Sequence, residues 1–144
     1  PTVCAVNGHA FGAGFMSALC HDVRFMRADR GFMSANELQI GLSIPSPELA
    51  LFKHKLPASV FFETVQLAKR WTGPAAQGAG FVEQACDLET LLASAQARAA
   101  PLAPLAAHRA KYGDQKQRRF GEQAAINGVH GAAYMLANPD QYGH

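Results

Sequence analysis

Three glycines, Gly8, Gly12 and Gly14, separate a buried strand from an apolar helix near the start of the chain. Residues 1–6 are mostly apolar and predict a strand, and residues 14–20 predict a short helix. Glycines let a ligand approach the main chain closely, and the N–H groups that begin a helix are unpaired and favour negative charge. The GxxxGxG spacing matches neither the dinucleotide-binding nor the phosphate-loop pattern. The turn therefore predicts either an anion-stabilising site or a tight connection without a ligand.

The composition is that of an ordered, soluble protein. Hydrophobic residues make up 49% and charged residues 17% of the 144 residues, and the formal net charge is +2, so neither disorder nor a nucleic-acid partner is expected. The densest basic run, residues 116–119, lacks interleaved aromatic residues and is interpreted as a solvated helix face. No apolar run approaches the ~20 residues of a membrane span. We expect a cytoplasmic protein that does not bind membranes.

The cysteines and histidines do not support a disulfide framework or a metal site. Cys4, Cys20 and Cys86 are widely spaced, odd in number and surrounded by apolar residues, as small buried thiols are. The six histidines show no HxxxH or HExxH spacing. We therefore predict no metal site.

Further short strands are predicted after the first helix. Residues 23–27 alternate apolar and basic side chains, and residues 32–35 follow a turn at Gly31, so the pair resembles a hairpin. Residues 36–45 have the mixed composition of a loop, and residues 80–86 predict a later strand. The strand at the start of the chain would leave an exposed edge, so we expect an N-terminal part of the protein to precede it.

The second half of the chain is predicted to be mostly helical. Ser46, Pro47 and Glu48 are typical of a helix start, with a capping hydroxyl, an early proline and a carboxylate near the positive end. The predicted helices cover residues 46–55; residues 58–70, with Val60, Phe61, Val65 and Leu67 as the apolar face; a short stretch capped by Thr72 and ending near Gly78; a helix capped by Asp87 and stopped at Pro101; and residues 104–136, broken at Gly113 and at Asn127 and Gly128.

Glu37 is the second candidate for chemistry. It lies in the loop of residues 36–45 and is followed by the apolar residues Ile40, Leu42 and Ile44. A carboxylate in apolar surroundings is poorly solvated and can accept and return a proton near neutral pH. The alternative is a surface glutamate without a role, which is the commoner fate of glutamates. Spacing alone does not separate the two.

Together, these segments resemble the crotonase superfamily of enoyl-CoA hydratases and isomerases. Residues 1–14, PTVCAVNGHAFGAG, are similar to that family's P-V-I-A-A-V-N-G-x-A-x-G-G-G. Residues 18–24 resemble A-L-A-C-D-I-R, and Phe32 with residues 36–45 resembles F-x-x-P-E-x-x-L-G-x-x-P. Residues 75–82 resemble A-x-x-x-G-L-V. Over about the first 45 residues the match is in order and at matching spacing, and the resemblance covers only the second half of the family's length.

The resemblance implies an α/β fold of the crotonase type, a superhelix of ββα units with a C-terminal helical trimerisation region, present as a partial domain. Residues 1–86 would form the second half of the core, and residues 87–144 the helical region. The implied substrate is an acyl-CoA thioester of fatty acid β-oxidation, with coenzyme A as part of the substrate and no other cofactor. The implied partners are further copies, in a homotrimer or a dimer of trimers, and the N-terminal half of the same protein.

For the reaction, the resemblance implies that two backbone N–H groups hold the oxygen of a thioester enolate. One donor is the N–H of Ala13, flanked by Gly12 and Gly14. The other donor and most of the coenzyme A surface would belong to the N-terminal half. Glu37 is implied as the catalytic proton carrier. Further implied substrate contacts are Gly12, Gly14, Met16, Asn36, Leu42 and Ile44.

Met16 determines which reaction the resemblance favours. Family hydratases have one glutamate at this position and a second where this chain has Glu37. A single carboxylate can remove a proton from C2 of a 3-enoyl thioester and return it to C4, and residues 36–41, NELQIG, resemble the N-E-T-Q-L-G of Δ3-Δ2-enoyl-CoA isomerases. Alternatively, Met16 is only core packing. The alternative functions are an enoyl-CoA hydratase and a non-catalytic binding subunit of the same fold.

Other side chains are expected to be structural. His9 and His21 lie near the turn but are interpreted as non-catalytic. Residues 61–62 and Trp71 are interpreted as core or as trimer contacts. The alanine-rich residues 120–136 are interpreted as a surface for a partner helix.

Overall fold

The chain has an α/β fold, and the computed structural model describes residues 1–120, 137 and 139–141. Within them, the strands are β1 (Val3–Val6), β2 (Ala10–Phe11), β3 (Val23–Arg27), β4 (Met33–Ser34) and β5 (Gln84–Cys86). The α-helices are α1 (Ala13–Cys20), α2 (Ser46–Lys55), α3 (Ala58–Phe61), α4 (Gly73–Gly78), α5 (Leu88–Ala99) and α6 (Arg109–Phe120). Turns of 3-10 helix cover Glu37–Ile40, Ala100–His108 and Pro139–Gln141, and a π-helical turn covers Phe62–Gln66.

The described strands form two small parallel sheets. The first has the order β1-β3-β5, and the second pairs β2 with β4, with Ala10 opposite Met33. The hairpin predicted for residues 23–27 and 32–35 is therefore wrong, because β3 and β4 lie in different sheets. Each of them runs parallel to an earlier strand, as a crossover helix such as α1 requires. Alternation along a strand does not reveal the direction of its partner.

An apolar core lies between α1, α2 and the first sheet. Phe15 of α1 packs edge-on against Phe52 of α2, with ring centroids 5.3 Å apart, and its centroid is 5.8 Å from that of Phe81. Trp71 packs edge-on against Phe81 and donates its indole N–H to the buried Thr64 hydroxyl at 2.9 Å. The core reading of Trp71 is confirmed. A smaller cluster beneath α5 consists of Phe25, Cys86, Leu91 and Ala95.

The helix predicted at residues 46–55 is confirmed as α2, with one correction at its start. Pro45 takes the N-cap position and Ser46 is the first helical residue, so the Ser46 hydroxyl makes no capping hydrogen bond. Thr72, in contrast, caps α4 as predicted, since its hydroxyl accepts the Ala75 N–H at 3.3 Å.

Other helix boundaries differ from the predictions. The helix expected for residues 58–70 ends in the π-helical turn at Gln66, and Ala68 has a φ of 50°, which is incompatible with a right-handed helix. Leu67, predicted on the apolar face, is 59% exposed. The break predicted at Gly113 is also wrong. The helix α6 continues through it, because one glycine costs a helix only about 1 kcal/mol relative to alanine.

The strand predicted for residues 80–86 is shorter than expected. Gly80 has a φ of 82° and belongs to a turn, so only β5 is extended. Asp87 takes the N-cap position of α5 without a side-chain capping bond, and the chain continues past Pro101 as a 3-10 helix. The helix break at residues 127–128 and the partner surface predicted beyond residue 120 lie outside the described residues. Among the helices that are described, none has the length and apolarity needed to cross a bilayer.

Asp22 attaches α6 to the beginning of the first sheet. Its carboxylate accepts the Thr2 N–H at 2.8 Å and lies 2.7 Å from Lys116 Nζ. Burial alone would raise the pKa of Asp22, but hydrogen bonds from Lys116, Thr2 and Tyr112 outweigh it and hold the pKa at about 2. The C-terminal part of the described chain is thereby tied to its first strand.

Two cations face the C-terminal end of α1. The carbonyl of His21, the residue after this helix, accepts hydrogen bonds from Arg24 Nη1 at 2.6 Å and from Lys55 Nζ at 3.1 Å. Cations stabilise this end because the negative end of the helix dipole lies there. The His21 ring also contacts this end of the helix, where its Nδ1 atom lies 2.8 Å from the Ser17 carbonyl oxygen.

Candidate active site

Gly12 forms the turn between β2 and α1. Its φ of 50° and ψ of −119° lie in a region that glycine adopts readily and other residues rarely do. The Ser34 carbonyl accepts the Gly12 N–H at 3.0 Å, and the Phe32 carbonyl accepts the Ala10 N–H at 2.9 Å. These two bonds fix the turn to β4.

Ala13 is the first residue of α1, and its N–H is available at the end of the helix. Within residues 1–120, no carbonyl or side chain accepts it, as is usual in a first helical turn. Ala13 and Gly14 are both exposed, and no acidic residue lies in this turn. The donor thus lies at the positive end of the helix dipole, where an anion is stabilised.

Glu37 brings a carboxylate to the same turn. It begins the 3-10 turn that follows β4, and its carbonyl accepts the Leu42 N–H at 2.9 Å. Its Oε1 atom lies 3.3 Å from the position that a Cβ on Gly12 would occupy. The residue is only 9% exposed. The carboxylate therefore packs directly against the backbone of Gly12.

The second oxygen of Glu37 has no partner within the part of the chain that the structure describes. Its Oε2 atom is buried, and no hydrogen bond from the described residues reaches it. Glu63 and Glu83, in contrast, are paired at the surface with Lys69 and Arg98. A buried carboxylate oxygen without a donor is costly to folding. It can, however, take up a proton from a group placed against the turn.

Parallel pairing explains why residues far apart in sequence meet here. The strands β2 and β4 run in the same direction, with Phe11 opposite Ser34. Gly12 and Ala13 follow one strand and Glu37 follows the other, so all three emerge at one edge of the sheet. Ligand sites of parallel sheets form at this carboxyl edge.

The other predicted substrate contacts differ in their burial. Met16 donates its N–H to the Gly12 carbonyl at 3.0 Å and is half-buried against the core. Asn36 and Leu42 are half-buried, whereas Ile44 belongs to the main core. Contact of these side chains with a substrate stays a prediction. In the described residues, no group of three or more potential metal ligands comes together.

Two features beside the turn were not predicted from the sequence. Ser34, whose carbonyl holds the Gly12 N–H, is fully buried and donates its hydroxyl to the Ala68 carbonyl at 3.4 Å. His9 is exposed and stacks on Phe11, with ring centroids 5.5 Å apart. The position of His9 near the glycine turn was noted from the sequence, whereas no signal pointed to Ser34.

The sequence is similar to a family model and to curated proteins named as enzymes of CoA thioesters. It matches the family model described as enoyl-CoA hydratase/isomerase over residues 1–141. It is 43% identical over 86 residues to enoyl-CoA delta isomerase 2, peroxisomal, of Arabidopsis thaliana, covering 59% of this chain and 36% of the plant protein. It is 33% identical over 109 residues to carnitinyl-CoA dehydratase of Salmonella arizonae, covering 74% and 41% of the two chains.

Two solved structures of one Mycobacterium tuberculosis protein, named as an isomerase in one and as a probable hydratase in the other, are similar in fold. An apo enoyl-CoA isomerase aligns with a TM-score of 0.75 at 30% identity, over 86% of this chain and 54% of the other. A probable enoyl-CoA hydratase aligns with a TM-score of 0.80 at 29% identity, over 98% and 59%. This chain thus spans little more than half of these structures and less than half of the curated relatives. The predicted crotonase-type fold, as a partial domain, is confirmed, and the chain belongs to the enoyl-CoA hydratase/isomerase family.

Proposed function

We propose that the protein containing this chain moves the double bond of a 3-enoyl-CoA to the 2-position. The observation that carries the proposal is the position of Glu37. Its Oε1 atom packs against Gly12 at the start of α1, while its Oε2 atom is buried and unpartnered among the described residues. The Glu37 carboxylate, a proton acceptor, therefore lies beside the turn that holds the Ala13 N–H, a hydrogen-bond donor.

The proposed reaction uses one carboxylate and one anion site. Glu37 takes the proton from C2, and the electron pair of that C–H bond forms a dienolate whose negative charge lies on the thioester oxygen. The Ala13 N–H donates to this oxygen, and stabilisation of that kind lowers the barrier. Glu37 then gives its proton to C4. The C3–C4 π electrons form the new C–H bond, the C1–C2 π electrons of the dienolate become the C2–C3 double bond, and an oxygen electron pair re-forms the thioester carbonyl.

Met16 supports isomerisation over hydration. It occupies the position where family hydratases have a glutamate, and a thioether cannot deprotonate water. Hydration remains the second candidate because carnitinyl-CoA dehydratase of Salmonella arizonae is similar over 74% of this chain, a larger share than the plant isomerase covers.

Family membership supports the remaining parts of the proposal. The substrate is an acyl-CoA thioester, coenzyme A enters only as part of that substrate, and no other cofactor is needed. The protein assembles as a homotrimer or a dimer of trimers, with a second oxyanion donor from a part of the protein outside this chain. Its proposed location is cytoplasmic, although the plant relative is named as peroxisomal.

The test is the Glu37→Gln variant of the full-length protein, assayed with a 3-enoyl-CoA. Glutamine keeps the shape but removes the base, so we expect kcat to fall by about 10²–10⁴-fold. Glu89→Gln is the matched control because Glu89 is exposed, in the first turn of α5, and should leave kcat unchanged. Undiminished isomerisation by Glu37→Gln would refute the proposal. Hydration of a 2-enoyl-CoA without isomerisation would favour the second candidate, and no turnover of either would favour a binding subunit.

A further inference from the structure

Glu48 shares an unusual property with Glu37. Of the buried side-chain oxygens and nitrogens in the described residues, only Glu37 Oε2 and Glu48 Oε2 have no hydrogen-bond partner. Glu48 is half-buried in the first turn of α2. A carboxylate there stabilises the helix through its dipole. That interaction does not require an oxygen buried away from every donor, which costs free energy.

The contacts between α2 and α1 show which way Glu48 faces. Phe52 packs against Phe15 in the first turn of α1, and Lys55 donates to the carbonyl of His21, just beyond the end of α1. Glu48, Phe52 and Lys55 are spaced i, i+4 and i+7, so they share one face of their helix. This face is the one turned towards α1.

The same contacts fix the level of Glu48 along α1. Because Phe52 meets the beginning of α1 and Lys55 its end, the two helices run in the same direction. Glu48 precedes Phe52 by one turn, or about 6 Å of helix, whereas Ala13 precedes Phe15 by only about 3 Å. Glu48 is therefore level with the turn that leads into Ala13, where the Glu37 carboxylate also lies.

We propose that Glu48 is a second proton carrier of the isomerisation, and this inference rests on the proposed function. Glu37 takes the proton from C2 as described above, and Glu48, in place of Glu37, gives a different proton to C4. The electron pairs move as in the one-carboxylate reaction. Each turnover leaves Glu37 protonated and Glu48 ionised, and proton exchange with water restores both.

An isotope experiment separates one proton carrier from two. A 3-enoyl-CoA deuterated at C2 is turned over in ordinary water by the full-length protein, and deuterium at C4 of the product is measured. With two carriers, Glu37 loses the deuterium to water and C4 receives hydrogen from Glu48. In Glu48→Gln, Glu37 must serve both positions, so we expect several-fold more deuterium at C4 and a kcat at least about tenfold lower. Glu48→Asp should restore the low transfer, and Glu89→Gln should change nothing.

The possible outcomes distinguish this inference from the proposed function. Equal deuterium at C4 in Glu48→Gln and in the unmodified protein overturns the second carrier alone. Transfer of most of the deuterium from C2 to C4 by the unmodified protein also overturns it. No isomerisation by the unmodified protein overturns both proposals. If circular dichroism shows that Glu48→Gln does not fold, Glu48→Met is compared with Glu48→Asp instead. Deuterium at C4 is measured in both: more label in Glu48→Met supports the second carrier, and equal label overturns it.

Discussion

Replacing Gly12 with alanine tests the contact between the turn and the Glu37 carboxylate. At a φ of 50° and a ψ of −119°, an L-residue is strained by about 1–3 kcal/mol. The added Cβ would also lie 3.3 Å from Glu37 Oε1, so the carboxylate would have to move by a few tenths of an ångström. The substitution therefore combines backbone strain with displacement of the proposed base.

The two effects have different sizes and different readouts. The strain should lower the free energy of unfolding by about 1–3 kcal/mol. A catalytic group misplaced by about 1 Å can cost about 10²-fold in rate, so a shift of a few tenths of an ångström should lower kcat/KM by roughly tenfold. Urea unfolding followed by circular dichroism gives the first quantity, and steady-state kinetics with a 3-enoyl-CoA gives the second.

Gly80→Ala is the matched control. Gly80 also has a positive φ, 82°, but a Cβ there would have no atom within 4 Å. It precedes β5 and not the candidate site, so this variant should lose about 1 kcal/mol of stability and keep its kcat/KM. If Gly12→Ala and Gly80→Ala have the same kcat/KM, the carboxylate does not act from its place beside the turn.

Two further predictions concern stability. The pKa of Asp22 is about 2 in the folded chain against an ordinary 3.8, so its stabilising contribution is fully present above that ordinary value and is lost as the pH falls towards 2. The unfolding free energy should therefore fall less steeply with acidification in Asp22→Asn, and equal slopes would contradict this reading. A Cβ on Gly73 would collide with the Arg27 carbonyl oxygen, whereas one on Gly78 would meet nothing. Gly73→Ala should lower the unfolding free energy by about 1–3 kcal/mol and Gly78→Ala should change it by less than about 1 kcal/mol, so equal losses in the two would count against the packing described at Gly73.

The parts of the candidate site could be predicted from local sequence patterns, but local patterns could not predict their contact. The glycines indicated the turn, and the apolar residues after Glu37 indicated a carboxylate in poorly solvated surroundings. What joins Gly12 to Glu37 is the parallel pairing of β2 with β4. Each of these strands is two residues long, which is too short to produce a periodic pattern. The family resemblance supplied the connection that periodicity could not.

Helices were predicted well where local signals bound them and poorly where tertiary contacts override the pattern. Local proline signals mark the start of α2, and its bounds agree with the prediction. The helix predicted through residue 70 instead ends early. Trp71 exchanges two backbone hydrogen bonds of 2.9 Å with Met33, and the Ser34 hydroxyl holds the Ala68 carbonyl. These contacts come from residues more than thirty positions away, so a local pattern cannot reveal them.

The cations at the far end of α1 also affect the electrostatic potential at its beginning. An eight-residue helix is only about 12 Å long, so the partial negative charge at one end cancels part of the potential that the other end creates. Arg24 and Lys55, bound to the His21 carbonyl, neutralise that negative end. An enolate oxygen beside Ala13 would therefore experience a potential closer to that of an isolated positive charge than so short a helix could create by itself.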